Sequence, residues 1–183
     1  INKLIKSVSD NDKEKILQQH LFDNLWLLDP SWDRATEGTE HIERSVTDEF
    51  GKITTKLTEE EKKGRIDIRY RNATNKHIII ELKRYVAGYK ITTGTLMDQV
   101  DKYERALRKC LQASGESNPA IESICVVGKD ALEDINETNR KLSSTNARVI
   151  TYDQLISHAQ ASYSDYLEKN KEVGKIRALL DKL

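Results

Sequence analysis

Two short runs decide how this chain folds: Gly64-Arg-Ile-Asp-Ile-Arg-Tyr-Arg71 and His77-Ile-Ile-Ile-Glu-Leu-Lys83, joined by Asn72-Ala-Thr-Asn-Lys76. The first alternates charged and apolar residues with period two. The joint is rich in turn formers. The second is rich in β-branched residues. The pattern predicts an antiparallel hairpin. Side chains alternate faces along a strand. Arg65, Asp67, Arg69 and Arg71 therefore share one face, and Ile66, Ile68 and Tyr70 the other. On the second strand His77, Ile79, Glu81 and Lys83 oppose Ile78, Ile80 and Leu82. If the apolar faces meet one core, Asp67, Glu81 and Lys83 point the same way.

That grouping has a chemical use. Two carboxylates with a backbone carbonyl, such as that of Leu82, form an all-oxygen site suited to Mg²⁺ or Mn²⁺. A metal-bound water can attack a phosphodiester, and Lys83 can orient it or stabilise developing charge. The plain alternative is a solvated ion-pair face, since Glu-x-Lys is common. Against it, the second strand is nearly all apolar, as in a buried central strand, where an acid and a lysine are rare.

Working outward, the first 28 residues read as a helix, capped by Ser9 or Asp10. Its stripe is Ile16, Leu17, Leu21, Phe22, Leu25 and Leu28, and Asp29-Pro30 ends it. Residues 31–63 are ambiguous, with a strand or an irregular connection over His41 to Phe50 and a helix or loop over Leu57 to Lys63. Beyond the hairpin, Thr95 to Leu111 carries Leu96, Val100, Tyr103, Leu107 and Leu111 at helical spacing. Ile121 to Val127 reads as a strand and Asp130 to Leu142 as a helix. Ala147 to Tyr152 reads as a strand. A helix capped by Asp153 follows, through roughly Glu168, and a second helical piece runs to Leu183. This order predicts an α/β architecture with a mixed central sheet flanked by helices.

Composition narrows the partners. The 183 residues suit one domain. Charged residues make up 33% and hydrophobic residues 37%, with 30 basic against 30 acidic, so bulk charge selects no partner. Local clustering does more. Lys62, Lys63, Arg65, Arg69, Lys83, Arg84 and Lys90 gather around the proposed site, and Lys102, Arg105, Arg108 and Lys109 follow on the next helix. Arg69, Arg84 and Lys102 are candidate phosphate contacts; a solvated face is the alternative. Two cysteines without metal spacing suggest a reducing, cytoplasmic compartment. No run has the length of a membrane span. The four histidines have no zinc-like spacing. The start at Ile1 suggests a C-terminal piece of a longer protein.

The run Gly64-Arg-Ile-Asp67 followed by Ile78-Ile-Ile-Glu81-Leu-Lys83 resembles the core of the PD-(D/E)xK nuclease superfamily, although Ile66 stands where that pattern has proline. The resemblance implies a restriction-endonuclease-like fold. It also implies that Asp67 and Glu81 bind metal and that Lys83 serves the attacking water. Gln99-Val-Asp-Lys-Tyr103 is similar to the Q-x-x-x-Y element of the RecB-like branch, which implies that Gln99 assists catalysis and Tyr103 helps hold the substrate strand. Tyr103 could equally be a core residue of an amphipathic helix. Glu14-Lys-Ile-Leu-Gln18 resembles the opening helix of Shedu-like defence nucleases, which makes Glu14 a further candidate metal ligand. Leu25 to Asp33 and Arg65 to Arg84 are similar to nuclease domains fused behind a GHKL-type ATPase module. These likenesses together imply a Mg²⁺-dependent DNA endonuclease of anti-phage defence or restriction. Two alternatives stand beside it. One is a catalytically silent DNA-binding module. The other is a homodimerisation domain built on Ile176, Leu179, Leu180 and Leu183.

Overall fold

A computed structural model describes residues 1–9, 14–29, 32, 40–45, 65–71, 75–84 and 86–180. Among the described residues, α-helices and strands follow in the order α1 (Asn2–Ser9), α2 (Glu14–Phe22), β1 (Glu40–Ser45), β2 (Arg65–Arg71), β3 (His77–Lys83), α3 (Thr93–Ala113), β4 (Ile121–Val127), α4 (Ile135–Leu142), β5 (Ala147–Thr151) and α5 (Tyr152–Leu180). The strands form one sheet in the order β1-β2-β3-β4-β5. β2 is antiparallel to both of its neighbours, β1 and β3, while β4 and β5 run parallel to β3. The expected mixed sheet with flanking helices is therefore present.

The central strand is β3, and its composition explains why. From His77 to Leu82 every residue is buried, because helices cover both faces of the sheet. One face gathers Ile68, Ile78, Ile80, Leu82, Ile124 and Val126 against Leu4, Leu17, Leu21 and Leu155 from α1, α2 and α5. The other packs Ile79 and Ile121 against Tyr103, Ala106, Leu107, Cys110 and Leu111 of α3. A third cluster joins Leu96 and Val100 to Cys125, Val127 and Val149. Each fully buried aliphatic side chain stabilises the fold by about 1.5–3 kcal/mol.

Helix boundaries differ from the sequence reading. The single opening helix is two, α1 and α2, with a short turn at Leu25–Leu27. Ile16, read as part of the apolar stripe, is 44% exposed. The helix expected from Asp130 begins only at Ile135, because Asp134 is extended and its side chain accepts from the Glu137 N–H at 2.9 Å. The expected break near Glu168 is not there: α5 runs unbroken to Leu180. Its cap is Thr151 rather than Asp153. Thr151 Oγ1 accepts from the Gln154 N–H at 3.1 Å, and Gln154 Oε1 accepts from the Thr151 N–H at 2.9 Å, a reciprocal capping box. The ambiguous His41–Phe50 stretch contributes β1 through Ser45. Residues 46–63, with the helix or loop expected over Leu57 to Lys63, lie outside the described residues, as does Leu183 of the proposed dimer contact. No helix among the described residues is long and apolar enough to cross a membrane.

Candidate active site at the end of the β2–β3 pairing

The β2–β3 register runs from Arg71–His77 to Ile68–Ile80. One step further it sets Asp67 opposite Glu81. There the Leu82 N–H donates to Asp67 Oδ2 at 2.7 Å, so a carboxylate meets a backbone group of the neighbouring strand. A strand residue turns its N–H and C=O toward the same neighbour. The Leu82 carbonyl therefore also faces β2, on the side of the Asp67 carboxylate.

Glu81 lies on the face covered by α3, with Ile79 and His77. It is 3% exposed. Lys83 follows on the same face, its Nζ 2.6 Å from Glu81 Oε1 and its side chain 26% exposed. A buried carboxylate is tolerable because this ammonium balances it. Gln99, in the second turn of α3, donates from Nε2 to the same Oε1 and also to the Tyr103 hydroxyl at 3.1 Å. Asp67, Glu81, Lys83 and Gln99, predicted separately from two stretches of sequence, thus meet at one end of the sheet. The helix reaches this point because Thr92 caps it, accepting from the Thr95 N–H at 3.1 Å.

The surroundings carry the same electrostatic imprint. Tyr103 is 4% exposed and packs in the α3 core. Burial and then the Glu81 charge raise its phenol above the ordinary value. The core reading of Tyr103 describes its ring, and its hydroxyl accepts from Gln99. Cys125 lies beside Glu81 in the parallel β3–β4 register. Burial, with Glu81 next, pushes its thiol up to about 12. From the opposite layer, buried Gln18 of α2 donates from Nε2 to the Asp67 carbonyl at 2.6 Å. Glu14 opens α2 one turn before Gln18, and its side chain is outside the described residues.

The expected phosphate contacts separate. Arg69 is half-buried, and its Nη2 donates to His77 Nδ1 at 3.2 Å. Arginine cannot accept, so Nδ1 is the acceptor. The ring proton then sits on Nε2 and is donated to Glu116 Oε2 at 3.2 Å. Burial is the main cause lowering the His77 pKa. Sequence reasoning placed His77 by the turn but missed this network, because Glu116 is 39 residues away. Lys102 is half-buried with its ammonium 5.1 Å from the Tyr103 ring centroid. Arg84 is exposed and lines a cavity of about 250 Å³ with Lys129, Tyr152 and Asp153 at the exits of the parallel strands.

The donor set can be tested against a metal ion by its chemistry. Among the described residues, no three His, Cys, Asp or Glu side chains gather as a metal cluster. Two carboxylates and the Leu82 carbonyl remain, all hard oxygens. That set fits Mg²⁺ or Mn²⁺ and does not fit a soft, thiol-binding metal.

No family model and no curated protein matches the chain. Among solved structures, a match is the structure of the EndoMS–dsDNA2 complex. It is 12% identical over 73% of this chain and 41% of that chain, with a TM-score of 0.35. This chain thus spans 41% of that chain's length.

Proposed function

We propose that the chain is a Mg²⁺-dependent phosphodiesterase that cuts DNA, with Mn²⁺ able to substitute. The observation that carries this reading is the meeting of Asp67, Glu81 and Lys83 at one end of the β2–β3 pairing, with Gln99 bonded to the same Glu81 oxygen as Lys83. Asp67, Glu81 and the Leu82 carbonyl would hold the ion. When bound, the ion supplies an acidified water and stabilises charge on a phosphoryl oxygen.

The protein groups do the rest. The Leu82 N–H fixes the Asp67 carboxylate, and Gln99 fixes Glu81 in one rotamer. Lys83 holds its proton where it can orient the attacking water or donate to a phosphoryl oxygen. Water oxygen bonds to phosphorus, the bond to one sugar oxygen breaks, and that oxygen leaves with a proton. The resemblance to Shedu-like and ATPase-fused nucleases is what supports a role in anti-phage defence or restriction.

Calorimetric titration with Mn²⁺ tests the ligand assignment. Wild type is expected to bind, and Glu81→Gln is expected to bind more weakly by at least the roughly 10- to 100-fold typical of losing an outer partner. Equal affinities would contradict the assignment.

A further inference from the structure

Between β3 and α3 the chain makes an excursion, Arg84-Tyr-Val-Ala-Gly-Tyr-Lys90. Both ends are pinned. The Gly128 N–H donates to the Lys83 carbonyl at 2.8 Å, and the Ile91 N–H donates to the Ala131 carbonyl at 2.7 Å. Ile91 is 6% exposed and bridges Leu132. Between the pins, Arg84 and every residue from Val86 to Lys90 are exposed. Val86 and Tyr89 face each other as a small antiparallel bridge, closed by the Tyr89 N–H to the Val86 carbonyl at 3.0 Å. Gly88 makes the turn possible with φ +76°.

This turn displays side chains that folding normally buries. Tyr89 is 57% exposed and Val86 45%, two of the four large hydrophobics exposed among the described residues. The other two, Ile16 and Tyr163, stand on α2 and α5. The excursion holds two tyrosines, two cations and no acid. An apolar protein partner would need Val86 and Tyr89 but not the flanking charges. A nucleic-acid strand matches both, with bases for the ring and phosphates for Arg84 and Lys90. The position also matches. Val86 is three residues past Lys83, at most about 11 Å along the chain, and Tyr89 lies across from it.

We propose that Tyr89 is a stacking platform for an unpaired base of the strand being cut, so that the substrate is single-stranded DNA. A paired base is already stacked between its neighbours and offers this ring no free face. The proposal rests on the phosphodiesterase reading above, and it names the form of DNA that reading leaves open.

Fluorescence anisotropy with the whole chain tests it, using a labelled single-stranded oligonucleotide and its duplex, with Ca²⁺ in place of Mg²⁺. Wild type is expected to prefer the single strand. Tyr89→Ala is expected to weaken that binding by about fivefold to a hundredfold and to leave duplex binding unchanged. Tyr89→Phe keeps the ring and is expected to bind as wild type. Unchanged single-strand binding by Tyr89→Ala would overturn the proposal, as would an equal loss on both forms, or a wild type that prefers duplex or binds neither. Glu81→Gln, assayed for Mg²⁺-dependent cutting alongside, separates the two claims. If it cuts as wild type does, the phosphodiesterase reading fails and the proposal fails with it. If it is inactive while Tyr89→Ala binds normally, only the stacking role fails.

Discussion

Gln99 on α3 donates its side-chain amide to Glu81 Oε1 on β3, the oxygen that Lys83 also holds. The helix thereby fixes the orientation of a carboxylate that is 3% exposed. Gln99→Ala would leave this buried carboxylate with one partner fewer. It is expected to lower the unfolding free energy by roughly 1–3 kcal/mol and to reduce cleavage. Tyr103→Phe removes only the acceptor of Gln99's second bond and is expected to do less of both. Denaturant melts and cleavage rates of the two variants check this order; a more damaging Tyr103→Phe would contradict it.

Cys125 lies beside Glu81, and its thiol is pushed up to about 12 by burial and by that charge. Only about one part in ten thousand is thiolate at pH 8, and the thiolate is the reactive form. In a Cys110→Ala background, the native protein is expected to resist iodoacetamide at pH 8 and to react once denatured. Stoichiometric labelling of the folded protein would contradict the burial and the placement beside Glu81.

The Arg69–His77–Glu116 network predicts a pH dependence of stability. The folded state lowers the His77 pKa, chiefly by burial, from its ordinary value of 6.5. Below that value the unfolded chain binds the proton more readily, so protonation favours unfolding. The contribution is present above pH 6.5 and is lost as pH falls from 6.5 through the folded value. His20 is shifted the same way, first by burial and then by Lys3. His77→Gln keeps an acceptor for Arg69 and a donor for Glu116, and is expected to shrink the acid loss without abolishing it. Thermal melts from neutral pH downward read this; an unaltered pH profile in His77→Gln would contradict the lowered His77 pKa.

The hairpin and the site it carries were legible because strand alternation is a strict rule. Once Ile68, Ile78, Ile80 and Leu82 share a core, Asp67, Glu81 and Lys83 must share the other face. The α3 stripe was equally plain, and it placed Gln99 and Tyr103 together. What sequence could not show were contacts set by tertiary packing. Gln18 reaches the Asp67 carbonyl across 49 residues, and His77 finds Glu116 across 39. Helix ends were misread where local signals compete. The first 28 residues read as one helix, although Ser9-Asp-Asn-Asp12 are residues that favour caps and turns over helix interiors. The reading also split the last helix near Glu168, a break the backbone does not make.

The central claim is that Lys83, 2.6 Å from Glu81 Oε1, is part of a phosphodiester-cleaving site. The most direct measurement is cleavage of single-stranded and duplex DNA in Mg²⁺ by the wild-type chain and by Lys83→Ala, with circular dichroism to show that both fold. The account predicts cutting by wild type that EDTA abolishes, and a rate for Lys83→Ala lower by about 10²- to 10⁴-fold. Equal cutting by the two proteins would contradict it.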